Sequence, residues 1–560
     1  MSISDGSFAG NIYGGYSISG KASSNTVDIS GGVFKSGIYG GSGSGQVTDN
    51  TVNISGSPNL IEASLFGANK DPGYSANNTL NLYSQITVKE MRYFQNLNFY
   101  LPATYSGSGA MLTVNGKAYI DEATVGIEIN GASSPLRAGD KITLIKAEEL
   151  SGTPKKDDRR ATGFQGFTLQ YEFDISVENG SLFATVTADD PGTGGSGDSG
   201  GSEETGGLDN SGDPGDTGNS GDSGNTGDPG DSGVSRDTDD TGRPRTGGKG
   251  GVTVTSRSKA LSEGLIANVT AINSGGDLLS GAGIMKTPRS VNSESGSYAS
   301  GVTSFGKSRY NTGSHVDSDT LAVLAGIRFA EIRRGRTAVS CGVFTEAGWS
   351  DYDTFSDFAN APDVRGNGES NYFGGGLMLR ADYGGNGSGW FYNDAAIRFG
   401  RARNSFACDG GMPVNYKTDS PYYGGHIGLG YVRELKNGAR LDIGTKLLWT
   451  RLEGDSVTLP TKDPITFAKS DSLRARVSAR YDAEKFYAGV AYEYEFAGEA
   501  NATAYGFPIP APSLKGGTGI CELGFTLGKK NAPFSADFNI SGFTGKREGF
   551  AGGINLNWKF

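Results

Sequence analysis

Glu548-Gly549-Phe550-Ala551-Gly552-Gly553-Ile554-Asn555-Leu556-Asn557-Trp558-Lys559-Phe560 closes the chain. Side chains alternate along an extended backbone, so Phe550, Ile554, Leu556, Trp558 and Phe560 fall on one side of a strand. Ala551, Gly553, Asn555, Asn557 and Lys559 fall on the other. A strand with one greasy and one polar face lines the core of a soluble sheet, or it separates lipid from an aqueous lumen in a closed barrel. The strands before it decide which.

From about residue 296 onward the pattern has period two, and twelve candidate strands can be counted. Leu321/Val323/Ala325/Ile327/Phe329 form one apolar stripe and Phe391/Ala395/Ile397/Phe399 another. Leu441/Ile443/Leu447/Trp449 alternate with Asp442 and Lys446. Leu473/Ala475/Val477/Ala479/Tyr481 alternate with Arg474, Arg476 and Arg480, and Phe486/Ala488/Val490/Tyr492/Tyr494 with Glu493 and Glu495. One such strand would suit a soluble sandwich. Nearly every strand here is of this kind, with aromatics near strand ends and short turns alternating with long polar loops, so the block reads as a membrane barrel with a polar lumen.

Composition agrees. The chain has 560 residues, 91 of them Gly, with 35% hydrophobic residues and a formal charge of −11. No run of eighteen apolar residues exists, so a membrane-spanning helix is excluded on sequence grounds and closed strands are the remaining way across. The acidity is local, since residues 189–242 hold fourteen Asp or Glu against Arg236 alone. A basic nucleic-acid footprint is missing. Cys341, Cys408 and Cys521 are odd in number and far apart, which does not suit a disulfide framework. The opening Met1-Ser2-Ile3-Ser4-Asp5-Gly6 has neither a basic nor an apolar signal region, so the sequence is expected to be a fragment or to begin at a misassigned start.

The first block repeats. Gly6-Ser7-Phe8 followed by Asn11-Ile12-Tyr13-Gly14-Gly15 returns as Gly32-Val33-Phe34 followed by Gly37-Ile38-Tyr39-Gly40-Gly41. Asn25-Thr26-Val27-Asp28-Ile29-Ser30-Gly31 returns as Asn50-Thr51-Val52-Asn53-Ile54-Ser55-Gly56, and a degenerate copy follows at Asn78-Thr79-Leu80-Asn81-Leu82. A period of this size marks a solenoid, and short β-branched strands between Gly pairs suit a parallel β-helix over residues 1–85. Val27 is therefore expected beside Val52, and Ile29 beside Ile54. Residues 86–188 are strand-rich without the repeat and read as the solenoid's cap. Their turns are expected at Asn115-Gly116, Asn130-Gly131 and Asn179-Gly180.

Residues 189–250 are a Gly/Asp-rich, low-complexity stretch with Gly at every third position from Gly212 to Gly233. With two prolines in that run and unopposed aspartates, a disordered, self-repelling linker is expected rather than a triple helix. Asp237-x-Asp239-x-Thr241-Gly242 misses a calcium loop, having Gly248 where the closing Glu belongs. Residues 251–285 carry a helix over Ser258 to Asn273 with Leu261, Leu265, Val269 and Ile272 as one stripe, and Gly275-Gly276 is expected to end it. The barrel is assigned to 286–560.

Four segments, in order, resemble autotransporter barrel domains of type V secretion: Ser308 to His315, Gly342 to Asp353, Asn371 to Gly376 and Gly545 to Gly549. Ile554, Leu556, Trp558 and the terminal Phe560 resemble the C-terminal signature of outer-membrane barrels. The resemblance covers roughly 258–560. It implies an all-β chain: a surface-exposed passenger of β-helix type, a linker, a pore helix and a twelve-stranded antiparallel transmembrane barrel. It also implies an outer-membrane, monomeric protein whose partners are outer-membrane lipid, periplasmic chaperones and the barrel-assembly machinery. An unknown extracellular ligand would meet the passenger, which by analogy is adhesin-like. The helix would plug the pore, with Lys259 and Glu263 facing lumen charges Arg474, Arg476, Arg480, Glu493 and Glu495. The alternatives are a plain outer-membrane channel with an accessory N-terminal domain, or an autotransporter whose enzymatic passenger is missing from this chain.

Chemistry is sparse. Gly197-Asp198-Ser199-Gly200-Gly201 spells a serine-protease motif, but the chain's histidines are His315 and His426, both in the barrel. A serine nucleophile requires an imidazole to take its proton. The passenger has neither His nor Cys, which excludes a Ser-His-Asp triad, a cysteine nucleophile and a His-ligated zinc there. No catalytic residue, cofactor or metal site is therefore expected. Some autotransporters cleave themselves at an Asn-Asn pair in the helix; Asn268 and Asn273 are not adjacent, so no such cleavage is expected.

Overall fold

The structure is a computed structural model that describes residues 1–69, 74–105, 107, 109–155, 160–187, 251–281, 296–358, 362–384, 389–483, 485–527 and 533–560. The stretch read as the linker, with its serine-protease and calcium-loop near misses, lies outside the described residues.

The repeat folds as rungs of parallel strands. Val52 pairs with Val27 and Ile54 with Ile29. Leu80 and Leu82 stack on the other side of Val52 and Ile54. These side chains are fully buried in one core running the length of the solenoid. Polar side chains at the rung corners satisfy one another: Asn25 Nδ2 donates to Asn50 Oδ1 at 2.8 Å, and Asn50 Nδ2 to Asn78 Oδ1 at 3.0 Å. Each rung thus completes the hydrogen bonds of the one before it.

The rungs do not stop at residue 85. Asn96–Leu101 pairs in parallel with Thr79–Leu82 and with Thr124–Ile129, and Ile86–Val88 with Leu112–Val114. The parallel register survives although the sequence repeat has decayed. Asn115-Gly116 is not a turn; it lies inside Leu112–Tyr119, where the pairing slips between Val114 and Lys117, a β-bulge. Asn179-Gly180 is a two-residue hairpin turn closing Glu178 against Ser181, both residues at positive φ, as the favoured hairpin turn demands. The solenoid ends in antiparallel strands Arg160–Gln165, Leu169–Glu178 and Ser181–Val186. Val252–Val254 adds to the same sheet, antiparallel to Leu169–Tyr171.

Beyond it, Ser256–Ser258 forms one 3-10 turn and Lys259–Gly281 one α-helix. The helix runs past Gly275-Gly276, correcting the expected end. It is also buried nearly all round, not along one stripe: Ile266, Ala267, Asn268 and Ala271 are as buried as Leu261, Leu265, Val269 and Ile272.

Among the described residues twelve long antiparallel strands follow, from Tyr298–Asn311 to Arg547–Lys559. These two pair with each other, Tyr298 opposite Lys559 and Tyr310 opposite Arg547, so the sheet closes and leaves no edge. The apolar stripes face outward: Phe391, Ile397, Phe399, Val477, Val490 and Trp558 are all exposed, as are Leu556 and Phe560 of the closing signature. Lipid is the solvent that such a belt requires. Among the described residues no helix is long and apolar enough to cross a membrane; the crossing elements are strands. At the end facing the solenoid, two barrel loops build a four-stranded sheet from Asp455–Thr458, Pro464–Phe467, Ala502–Ala504 and Phe507–Ile509.

Candidate functional site

The helix touches the wall through polar contacts along its whole length. At its start Lys259 Nζ donates to Ser314 Oγ at 2.9 Å, and Glu263 accepts from Thr312 Oγ1 at 2.9 Å. Tyr416 Oη donates to the Leu261 carbonyl at 2.6 Å, Ser370 Oγ to Asn268 Oδ1 at 2.7 Å, and Asn273 Nδ2 to Ser472 Oγ at 3.0 Å. Tyrosine and serine on inward strand positions thus replace the water that a bare lumen would offer.

Three charged clusters hold the last turns. Arg398, buried and paired with Glu346 at 2.9 Å, also donates to the Ile272 carbonyl at 2.9 Å. Tyr422 Oη donates to the same Glu346 at 2.7 Å. Gly275 and Gly276 pass directly over this cluster. A Cβ on Gly275 would meet Tyr372 Oη at 2.5 Å, and one on Gly276 would meet Arg398 Nη1 at 2.7 Å. The glycine pair lets the helix approach a buried ion pair; it does not end the helix.

At the next residue, Asp277 lies 2.7 Å from Arg474, 2.7 Å from Arg476 and 3.2 Å from Arg547. Glu493 shares Arg474 and Arg476 at 3.3 and 2.7 Å. The last turn meets Lys446, which donates to the Ser280 carbonyl and to Asp394; Asp394 also binds His426 Nε2 at 2.8 Å.

All five predicted lumen charges point inward. Arg474, Arg476 and Glu493 gather at the helix, whereas Arg480 pairs with Asp482 at 2.8 Å and Glu495 accepts from Ser472 Oγ at 2.5 Å. The expected partners Lys259 and Glu263 do not reach them. Those two residues sit near the solenoid, on the hairpin turn at 312–314, and Asp277 makes the contact instead. Asp277 lies beyond the expected helix end at Gly275-Gly276, so the sequence reading missed it. Arg398 was legible as the residue opposite the Phe391/Ile397/Phe399 stripe. His315 opens the second barrel strand and stacks on Phe355 at 4.5 Å; His426 faces the lumen.

The solenoid's cap docks on the pore mouth. Asp463, fully buried in a barrel loop, accepts from the Phe167 and Thr168 amides at 3.0 Å each and from Thr168 Oγ1 at 2.7 Å. Gly166 and Gly131 make room: a Cβ would strike the Asp463 carboxylate at 2.1 Å and the Thr461 carbonyl at 1.9 Å. Tyr505 Oη donates to the Gly131 carbonyl, and burial raises this phenol above its ordinary range. Arg257 bridges cap and barrel, donating to the Phe167 carbonyl at 3.0 Å and the Gly410 carbonyl at 3.2 Å; burial lowers its guanidinium from the usual value.

The described residues thus form one closed barrel of twelve strands, filled by a helix that begins at a β-solenoid. This is the arrangement of parts that the sequence resemblance implies. No protein-family model matches the chain, and no curated protein does. Among solved structures the chain is similar to the translocator domain of the autotransporter NalP from Neisseria meningitidis, at 12% identity over 55% of this chain and 100% of that one, TM-score 0.37. It is similar to the transport unit of the autotransporter AIDA-I from Escherichia coli, at 12% identity over 55% and 98%, TM-score 0.36. A Pseudomonas aeruginosa FadL homologue follows at 10% identity over 52% and 97%, TM-score 0.28.

Proposed function

We propose that this protein is an outer-membrane autotransporter: its barrel carries its own solenoid across the membrane and then anchors it at the cell surface. The observation that carries the reading is the helix. It starts five residues after a strand bonded into the solenoid's cap and fills the lumen from the solenoid-facing end to the Asp394–Lys446 cluster. A passenger that had crossed the pore would leave such a segment behind. Folding outside would make return unfavourable, because each new rung buries apolar side chains such as Val52 and Ile54 on the one before.

The passenger's role is display or adhesion, not catalysis. Its residues lack His and Cys, and its surface is a repetitive ladder of Thr, Asn and Ser. The protein works as a monomer in outer-membrane lipid. Its insertion depends on the barrel-assembly machinery and periplasmic chaperones, and it meets no nucleic acid.

The test is deletion of residues 256–281 from the chain expressed in a Gram-negative host. Expected are a rise in single-channel conductance and loss of surface exposure of residues 1–187 to added protease. Unchanged conductance with normal exposure would discard the plug and favour a plain channel carrying an accessory domain.

A further inference from the structure

On the outward face of the first rungs one column runs Ser4, Ser30, Ser55, Tyr83 and Tyr100. Successive amides tie it together: Ser30 N–H donates to the Ile3 carbonyl, Ser55 N–H to that of Ile29, and Tyr83 N–H to that of Ile54. Leu82 pairs with Phe99, which puts Tyr100 beside Tyr83. The two phenol rings stack at 4.2 Å with planes 14° apart. On the other side of Tyr83 the column drops from an aromatic to three serines, too small to cover a ring. The space they leave is a recess of about 430 Å³ lined by these serines, Asp28, Asn53 and Tyr83, but not by Tyr100. One face of Tyr83 is therefore covered and the other opens into the recess; the residue is 41% exposed.

The recess has a definite chemistry. Its end wall is the electron-rich face of a phenol, which attracts the C–H face of a flat saturated ring. Its floor offers hydroxyls. Its side offers the Asp28 carboxylate, already accepting from Asn53 Nδ2 at 2.6 Å and from Ser2 Oγ at 3.1 Å, with lone pairs to spare. Among the described residues no Lys or Arg lines it. Rungs repeat at about 4.8 Å, close to the thickness of one pyranose, so a sugar stacked on Tyr83 would occupy the place of the aromatic that Ser55 does not supply. We propose that this recess binds a neutral pyranose, the terminal sugar of a glycan, stacked on Tyr83 and held at its hydroxyl edge by Ser30, Ser55 and Asp28. Asp28 selects against anionic sugars. The proposal deepens the surface-display reading and rests on it for its setting.

The experiment uses the full chain purified in a detergent without a sugar headgroup, so its outcome is separate from the export assay. Saturation-transfer NMR is recorded with methyl glycosides of glucose, galactose, mannose and N-acetylglucosamine, and with N-acetylneuraminic acid. At least one neutral glycoside is expected to receive saturation, and the acid less. Tyr83→Phe should keep the signal, and Tyr83→Ala should weaken affinity roughly tenfold, the worth of one stacked ring. Ser55→Tyr extends the existing aromatic stack into the recess and should abolish binding while the heat-dependent gel shift of the barrel is unchanged. Absence of binding by the wild type, binding that survives Ser55→Tyr, or preference for the anionic sugar would overturn the assignment.

Discussion

Thr168 and Asp463 are 295 residues apart in the sequence, yet Thr168 Oγ1 donates to the Asp463 carboxylate at 2.7 Å. This bond and the two amide bonds beside it join the last part of the solenoid to the barrel, and a single side chain accepts all three.

Asp463→Ala leaves the buried amides of Phe167 and Thr168 without an acceptor, at a cost of about 1–3 kcal/mol for each unsatisfied group. Limited proteolysis of the purified chain should then cut within 160–187 faster than in the wild type, with the barrel's gel shift unaltered. Asp463→Asn keeps one oxygen and should fall between. Equal cleavage rates in all three would remove the docking contact from the energetics.

Asp277→Ala removes the carboxylate that Arg474, Arg476 and Arg547 share and leaves Glu493 to balance the first two. Removing one partner of a buried ion cluster costs about 3–5 kcal/mol where water is excluded, and less where water can enter a lumen. The temperature of the barrel's gel shift should fall. Arg547→Ala in the same chain should recover part of the loss, since it removes one uncompensated charge. Additive losses would mean that the two residues do not act together.

Gly275→Ala and Gly281→Ala form a matched pair. The first methyl meets Tyr372 Oη, Arg398 and Glu346 within 2.9 Å; the second meets nothing within 4 Å among the described residues. Helix propensity favours alanine by about 1 kcal/mol in a helix interior such as Gly275, and by less at the final residue, Gly281. Gly281→Ala should therefore leave the gel-shift temperature the same or higher, and Gly275→Ala should lower it. The same direction at both positions would contradict the close approach.

Leu447→Arg puts a charge on the outward belt, where Leu447 is exposed between Ile443 and Trp449. Near the bilayer midplane this costs about 2–4 kcal/mol. Urea titration of the barrel folded into liposomes should show a correspondingly lower midpoint. Wild-type stability in the variant would place Leu447 outside the hydrocarbon.

Periodicity was readable wherever a local pattern determined the structure. The copy of Val27/Ile29 at Val52/Ile54 is legible because stacking rungs forces like residues together, and the strand register follows. The outward stripes are legible because lipid tolerates few charges. Gly275-Gly276 misleads because a glycine pair ends a helix on local grounds, whereas here its purpose is set by Tyr372, Arg398 and Glu346 from the barrel wall. Asp277 is overlooked for the same reason, as its partners lie 197 to 270 residues downstream. The loop sheet and Asp463 leave no periodic trace. Residues 86–151 keep rung geometry after the repeat fades, because the solenoid needs inward apolar positions and not identical ones.

Val252–Val254 gives the molecule a mechanical property. Leu169 pairs with Val254 and Tyr171 with Val252, so the cap sheet grips the chain just before it enters the barrel. A pull on the far end of the solenoid reaches the helix through these hydrogen bonds and through Arg257, without passing along residues 188–250. A proteolytic nick between residues 188 and 250 would leave the solenoid fastened to the barrel, and release would require the sheet to be peeled apart as well.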